Sequence, residues 1–207
     1  IKLRKEVLDN IIGQDEAVYD LTRVIGINLT SQNPRNKSHI LITGPSGTGK
    51  TEMVKIVAKE LDLPVFKAAA TQYSKTGYDG DSVPSMLVSL YQAANEDLEK
   101  AQNGILIIDE IDKTVTFQAD QGFGKAVLHE LLKILDRDVI QVELDKLTGE
   151  KLLFDTSNLT VIMMGSFDDL YELKQKENRT MGFNSSSGDS SKIRLTEEDL
   201  IKWMGPE

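Results

Sequence analysis

Two short stretches hold residues whose types and order can manage a phosphoanhydride bond. Gly44–Thr51 reads GPSGTGKT and fits the spacing G-x-x-x-x-G-K-[ST]. Glycines in such a run let the backbone curl until its N–H groups point inward. The result is a concave nest for phosphate oxygens, backed by the positive end of a helix. Pro45, Ser46, Gly47, Thr48 and Gly49 would form that nest, with Lys50 reaching the β- and γ-phosphates and the Thr51 hydroxyl ligating Mg²⁺. The second stretch, ILIIDEIDK at Ile105–Lys113, sets an apolar run before Asp109 and Glu110. Carboxylates at the carboxyl end of a central strand lie where open α/β sheets bind ligands. Asp109 is expected to hold Mg²⁺ through its water shell, and Glu110 to polarise a water for attack on the γ-phosphate. Together Lys50, Asp109 and Glu110 point to hydrolysis of ATP rather than phosphoryl transfer to a small molecule.

Positioning these groups needs strands that end together and helices that start beside them. Four β-branched-rich runs read as buried strands: His39–Thr43, Pro64–Ala69, Ile105–Asp109 and Leu159–Met164. Helical periodicity lies between them. Val83, Met86, Leu87, Leu90, Tyr91, Ala94 and Leu98 form one stripe and predict a single long helix. Further helices are expected over Gln14–Leu29, from Met53 to Leu61 and from Val127 to Leu135. Continuous apolar strands alternating with helices predict an α/β fold, a parallel sheet covered on both faces. Two segments depart from this pattern. Val139–Phe154 reads as a projecting hairpin around Thr-Gly-Glu, and Lys174–Lys192 as a mobile polar loop. Thr196 before Glu197–Asp199 reads as a capped helix start.

The bulk composition narrows the function classes. The 207 residues carry 24 Lys and Arg against 33 Asp and Glu, a net charge of −9, with the basic residues scattered. A nucleic-acid partner would want them clustered on one face. The chain has no cysteine, which removes disulfides and thiolate chemistry and fits a reducing, cytoplasmic setting. No apolar run approaches the roughly 20 residues that span a bilayer. His39 and His129 stand alone, without a second ligand at metal spacing, and are read as structural.

These motifs resemble the AAA+ ATPases, and among them the ClpX-type protein unfoldases of the Clp/Hsp100 group. LDNIIGQDEAV at Leu8–Val18 is similar to the family's N-terminal box, in which Ile12 and Gly13 would pack against adenine. HILITGPSGTGKT and AQNGILIIDEIDK match the Walker A and Walker B segments. FDTSN, MGFN and LTEEDLIKWMGPE resemble later segments in the family's order, so the likeness covers nearly the whole chain. KTGYDGDSV resembles the loop that grips substrate in a central channel. The resemblance therefore gives Gly77, Tyr78, Asp79 and Gly80 that role, with the ring of Tyr78 carried on glycine hinges. It further implies a P-loop NTPase large subdomain over 1–207, a homo-hexamer, ATP and Mg²⁺ as cofactors, unfolded or tagged proteins as substrates, and a ClpP-like peptidase as partner.

Several departures qualify these expectations. Asp79 replaces a small apolar residue, and the hairpin lacks the basic cluster of the family's tag-binding loop. The peptidase-docking tripeptide has no counterpart beyond a remnant at Met181–Asn184. Ser166, after the fourth strand, falls near the sensor position, where it would either bond the γ-phosphate or cap the strand. The sequence stops at Pro206–Glu207, before the arginine that reaches a neighbouring subunit's nucleotide, and neither Arg179 nor Arg194 matches it. The expectation is a large ATPase subdomain lacking the small helical and N-terminal zinc domains. Such arginines supply roughly 10³–10⁵ in rate, so weak turnover is expected from this chain alone. Two alternatives remain, an AAA+ protein acting on nucleic acid (a helicase loader or branch-migration motor) and a nucleotide-binding switch. The acidic charge and the glycine-flanked Tyr78 favour the unfoldase.

Overall fold

The computed structural model describes residues 13–74, 81–116, 123–145, 148–181 and 195–204. Its centre is a four-stranded parallel sheet: β1 Ile40–Thr43, β2 Val65–Ala69, β5 Ile105–Asp109 and β8 Thr160–Gly165, in the order β1-β8-β5-β2. The expected strands recur, displaced by a residue at some ends. Alternation along each strand sorts side chains into two cores. Ile105 and Ile107 join Ile162 and Met164 on one face, beneath α1 (Asp15–Thr30) and α2 (Lys50–Glu60). Leu106 and Ile108 join Val161 on the other, beneath α3 (Ser85–Ala93) and α6 (Phe123–Leu135). Each buried Leu or Ile contributes about 1.5–3 kcal/mol of transfer free energy, which makes these two layers the main stabilising term.

The long helix expected across Val83–Leu98 is two helices. After α3 the chain takes positive φ at Asn95 (55°) and Glu96 (61°), then restarts as α4, Leu98–Gln102, with Asp97 accepting the Lys100 N–H at 3.1 Å. The apolar stripe keeps its phase, because Met86, Leu87, Leu90 and Ala94 are all buried. Periodicity therefore reported which side faces the core and did not register the break. Asn tolerates the left-handed region and Asp is a strong N-cap, and both signals were present in NED.

The expected hairpin is formed by β6 Val139–Asp145 and β7 Glu150–Asp155, antiparallel, with Gly149 at φ 70° in its turn. It does not simply project. Val142 and Phe154 are buried in the core beside Leu90 and Leu159, while Val139 and Leu153 face outward. The loop expected from Lys174 is also corrected over its first part, since α7 runs Asp168–Met181. Its Glu, Lys and Gln residues are polar but, like its leucines, strong helix formers, and Leu170 anchors it in the core. The rest of that loop, 182–192, lies outside the described residues. The Thr196 capping box is observed at the start of α8, Glu197–Met204. There the Asp199 carboxylate accepts from Thr196 N–H and Oγ1, both at 2.7 Å, and from Lys174 of α7. Those donors hold the Asp199 carboxyl down at about 2. Directly after β5, α5 spans Ile111–Thr116.

Tyr73–Ser74 (β3) and Asp81–Ser82 (β4) pair in parallel. The expected gripping residues Gly77, Tyr78, Asp79 and Gly80 lie outside the described residues. So do Ile12 and Arg194.

His39 is structural, as expected. Its Nδ1 accepts from the Val161 N–H at 3.3 Å and its Nε2 faces the Leu135 carbonyl at 3.0 Å, tying β1 to β8 and α6. Both contacts together require the neutral ring protonated at Nε2. Burial, the largest cause, pushes this imidazole below its ordinary 6.5, aided by Arg137 and opposed by the Leu135 hydrogen bond. The unfolded chain then takes up the proton first on acidification. Stability is complete above about pH 6.5 and falls as the pH drops below it. Urea midpoints should decline from pH 7.5 to 5.5 in the wild type, and His39→Gln should flatten that slope. An equal slope in the variant would remove His39 as its source.

Candidate functional site

The phosphate-loop sequence builds its own geometry. Gly44, Gly47 and Gly49 sit at φ 146°, 81° and 83°, conformations that a side chain would strain, and Gly49 is the N-cap of α2. The loop, the end of β5 and the end of β8 enclose a cleft of about 430 Å³. Ser46, Gly47, Gly49, Lys50 and Thr51 line it from one side, with Asp109, Glu110, Gly165 and Ser166 from the other. Pro45 and Thr48 shape the loop instead, with Thr48 Oγ1 donating to the Pro45 carbonyl at 2.9 Å. The Lys50 ammonium lies at the loop's rim, donating to the Gly44 and Pro45 carbonyls at 2.5 and 2.8 Å.

Asp109 is surrounded by donors. Its Oδ1 accepts the Glu110 N–H at 2.9 Å, and its Oδ2 meets the Lys67 ammonium at 2.6 Å. Partial burial pushes this carboxyl up. The Lys67 hydrogen bond and charge, the Glu110 N–H and the Lys50 charge together outweigh it and hold the group below the usual carboxylate range. Lys67 Nζ also lies 3.4 Å from Thr51 Oγ1. Two hard oxygen donors thus converge on one cation. That donor set fits Mg²⁺, which takes few protein ligands and fills its shell with phosphate and water. No cluster of three or more His, Cys, Asp or Glu that could cage a metal occurs among the described residues.

Glu110 takes φ 59° directly after β5, a conformation uncommon for a residue with a side chain. Its Oε1 accepts from Lys113 at 2.7 Å and its Oε2 from Thr71 at 2.9 Å. Those two bonds, Lys113 first, hold its carboxyl below the ordinary range and keep it ionised.

Ser166 lines the cleft but donates to Asp112 Oδ2 at 3.0 Å, and the Phe167 N–H donates to the same oxygen at 3.1 Å. Its observed partner is therefore α5, at the strand end. Gly165 permits this arrangement. A Cβ there would lie 2.6 Å from Asp112 Oδ1 and 2.7 Å from Phe167 Cε2.

A second cavity of about 570 Å³ lies on the other side of the first turn of α2, lined by Gly13, Leu21, Val24, Ile42, Met53 and Tyr171 among others. Tyr171 and Thr43, hydroxyl to hydroxyl at 3.2 Å, close one wall.

The sequence reading missed Lys67, Thr71 and Asp112. Lys67 carried a signal, as the one charge inside an apolar strand. Asp112 carried a weaker one, an acid three residues past Asp109. Thr71 carried none, because only the parallel pairing of β2 with β5 brings it beside Glu110.

Residues 40–182 match the family described as "ATPase family associated with various cellular activities (AAA)". The chain is 38% identical over 182 residues to the ATP-dependent Clp protease ATP-binding subunit ClpX 2 of Wolinella succinogenes, covering 83% of this chain and 45% of that protein. It is 35% identical over 229 residues to the ClpX subunit of Borrelia duttonii (98% and 53%), and 30% identical over 223 residues to that of Porphyromonas gingivalis (98% and 54%). The chain spans about half the length of these curated relatives.

The packing around Asp112 can be tested by sign. Gly165→Ala should cost about 1–3 kcal/mol through overpacking against Asp112 and Phe167. Gly26→Ala, on α1 with open space around it, should stabilise by about 0.5–1 kcal/mol. Urea unfolding of both variants reads the contrast, and a neutral Gly165→Ala would contradict the close approach.

Proposed function

This chain belongs to the AAA family of ATPases, and on that footing we propose that it binds and hydrolyses Mg·ATP to drive the unfolding or remodelling of other proteins. The observation that carries the ATPase reading is one cleft in which Lys50 and Thr51 of the glycine loop face Asp109 and Glu110. A triphosphate placed there offers oxygens that replace the Gly44 and Pro45 carbonyls as partners of Lys50. The nest of N–H groups and the start of α2 stabilise its charge. Mg²⁺, held by Thr51 and Asp109, would neutralise charge building on the phosphates. Glu110 stays ionised and each of its oxygens accepts one hydrogen bond, leaving capacity for a water. Because Lys113 and Thr71 lower its basicity, its work is to orient and polarise that water more than to strip its proton. The second cavity, with Gly13 at its mouth and Leu21, Val24 and Met53 as apolar walls, suits an adenine ring next to the phosphates.

The unfoldase part of the reading rests on the similarity to the ClpX subunits and on the segment Gly77–Gly80. The paired strands β3 and β4 stand on either side of that segment in the chain. A hexameric ring, an arginine supplied in trans, a ClpP-like peptidase and a cytoplasmic setting complete the proposal. No helix among the described residues is long and apolar enough to cross a membrane.

In the assembled full-length protein, Glu110→Gln should keep ATP binding and lower hydrolysis by a factor on the order of 10²–10⁴. Unchanged turnover would take the water-activating role from Glu110. Tyr78→Ala should leave basal ATPase largely intact while stopping the unfolding of a tagged substrate. If unfolding persists, the gripping role of Tyr78 is wrong and the ATPase reading stands alone.

A further inference from the structure

Lys67 sits on an edge strand, where a lysine ordinarily turns to solvent and blunts the edge. Here it does not. Pairing of β2 with β5 sets Lys67 opposite Ile107, so the two side chains share the face under α2, the same face as Asp109 two residues on. The lysine stem runs along that face toward the strand end and delivers its ammonium 2.6 Å from Asp109 Oδ2 and 3.4 Å from Thr51 Oγ1. These are the two oxygens best suited to a divalent cation. Lys50 of the phosphate loop is engaged elsewhere, with the carbonyls of Gly44 and Pro45, and Lys113 with Glu110. These ammonium groups therefore have different partners, and only Lys67 occupies the space between Thr51 and Asp109.

We propose that Lys67 is a tethered cation for the metal position: it competes with divalent metal for Asp109 and Thr51, and supports nucleoside-triphosphate binding when no metal is bound. The proposal rests on the nucleotide-binding reading above. A single positive charge held by a side chain is less strongly hydrated than a divalent ion and is present at fixed local concentration. It can therefore offset part of the triphosphate charge by itself. Lys67 must withdraw from Asp109 before that carboxylate can turn to a divalent ion. The four-carbon stem and partly exposed head, 38% accessible, allow the withdrawal.

The test is the ratio of dissociation constants for a fluorescent ATP analogue, measured on the full chain in EDTA and in excess Mg²⁺. Taking a ratio within one protein cancels any general loss of affinity. In the wild type the ratio should be small. Lys67→Met should raise it by on the order of tenfold, the scale of one charge-assisted contact, while Lys67→Arg, which keeps the charge, should stay close to wild type. Thermal melts confirm folding, with Lys67→Gln as the substitute if the methionine variant fails. A rise of less than about threefold, or an arginine variant that behaves like methionine, overturns the proposal. Failure of the wild type to bind the analogue in either condition would overturn the nucleotide-binding reading with it.

Discussion

A carboxylate at the end of a strand whose other four residues are fully buried is the condition on which the site depends. Ile105, Leu106, Ile107 and Ile108 have no exposed surface, and Asp109 follows them without a turn. Burial of that kind favours the neutral acid, which would be useless to a cation. The charge persists because the Lys67 ammonium of β2 and one backbone N–H bond to it, with the Lys50 charge of the glycine loop adding to them. The sheet order makes that possible. With β2 beside β5 and β1 two strands away, the lysine of one strand and the loop after another approach the same carboxyl from opposite sides.

The residues just past the strands carry backbone strain. Glu110 after β5 and Phe167 after β8 both take positive φ, at 59° and 54°. Non-glycine residues in this region persist where the surroundings hold them, and they collect at functional sites. Asp112 supplies the hold, since its one oxygen accepts both the Ser166 hydroxyl and the Phe167 N–H. The helix that follows Glu110 is thereby tied to the neighbouring strand end, and Gly165 leaves the room this needs. Ser166 belongs first to this tie, so any sensing of phosphate by it would act through the position of α5 as well as by direct contact.

A layer of polar contacts at the opposite end of the sheet keeps the strand ends in register. Asn28, buried at 2% exposure, donates to the Ser38 carbonyl and to Thr160 Oγ1 and accepts the Ser38 N–H. His39 joins β1 to β8 and α6. A buried amide and a neutral imidazole are costly unless satisfied, and here each is satisfied by elements far apart in sequence. Slippage of β1 by one residue would break these contacts and move the glycine loop relative to Asp109.

The sequence by itself determined the alternation of buried strands and helices, the glycine loop with Lys50 and Thr51, and the acidic pair Asp109–Glu110. Each is written in contiguous residues, through a hydrophobic period or a fixed spacing that local physics reads directly. It could also show which face of Val83–Leu98 is apolar, though not the break at Asn95–Glu96, because a stripe can hold its phase across a restart. Helicity at Lys174–Met181 was masked by polarity, which reports exposure and not backbone shape. Only the tertiary structure decided that Lys67 would meet Asp109 and Thr51, that Thr71 would meet Glu110, and that Asp112 would hold Ser166. Lys67 lies 42 residues from Asp109 and 16 from Thr51, and the other two pairs lie 39 and 54 residues apart. They are brought together by strand order, and strand order follows from how the two cores pack.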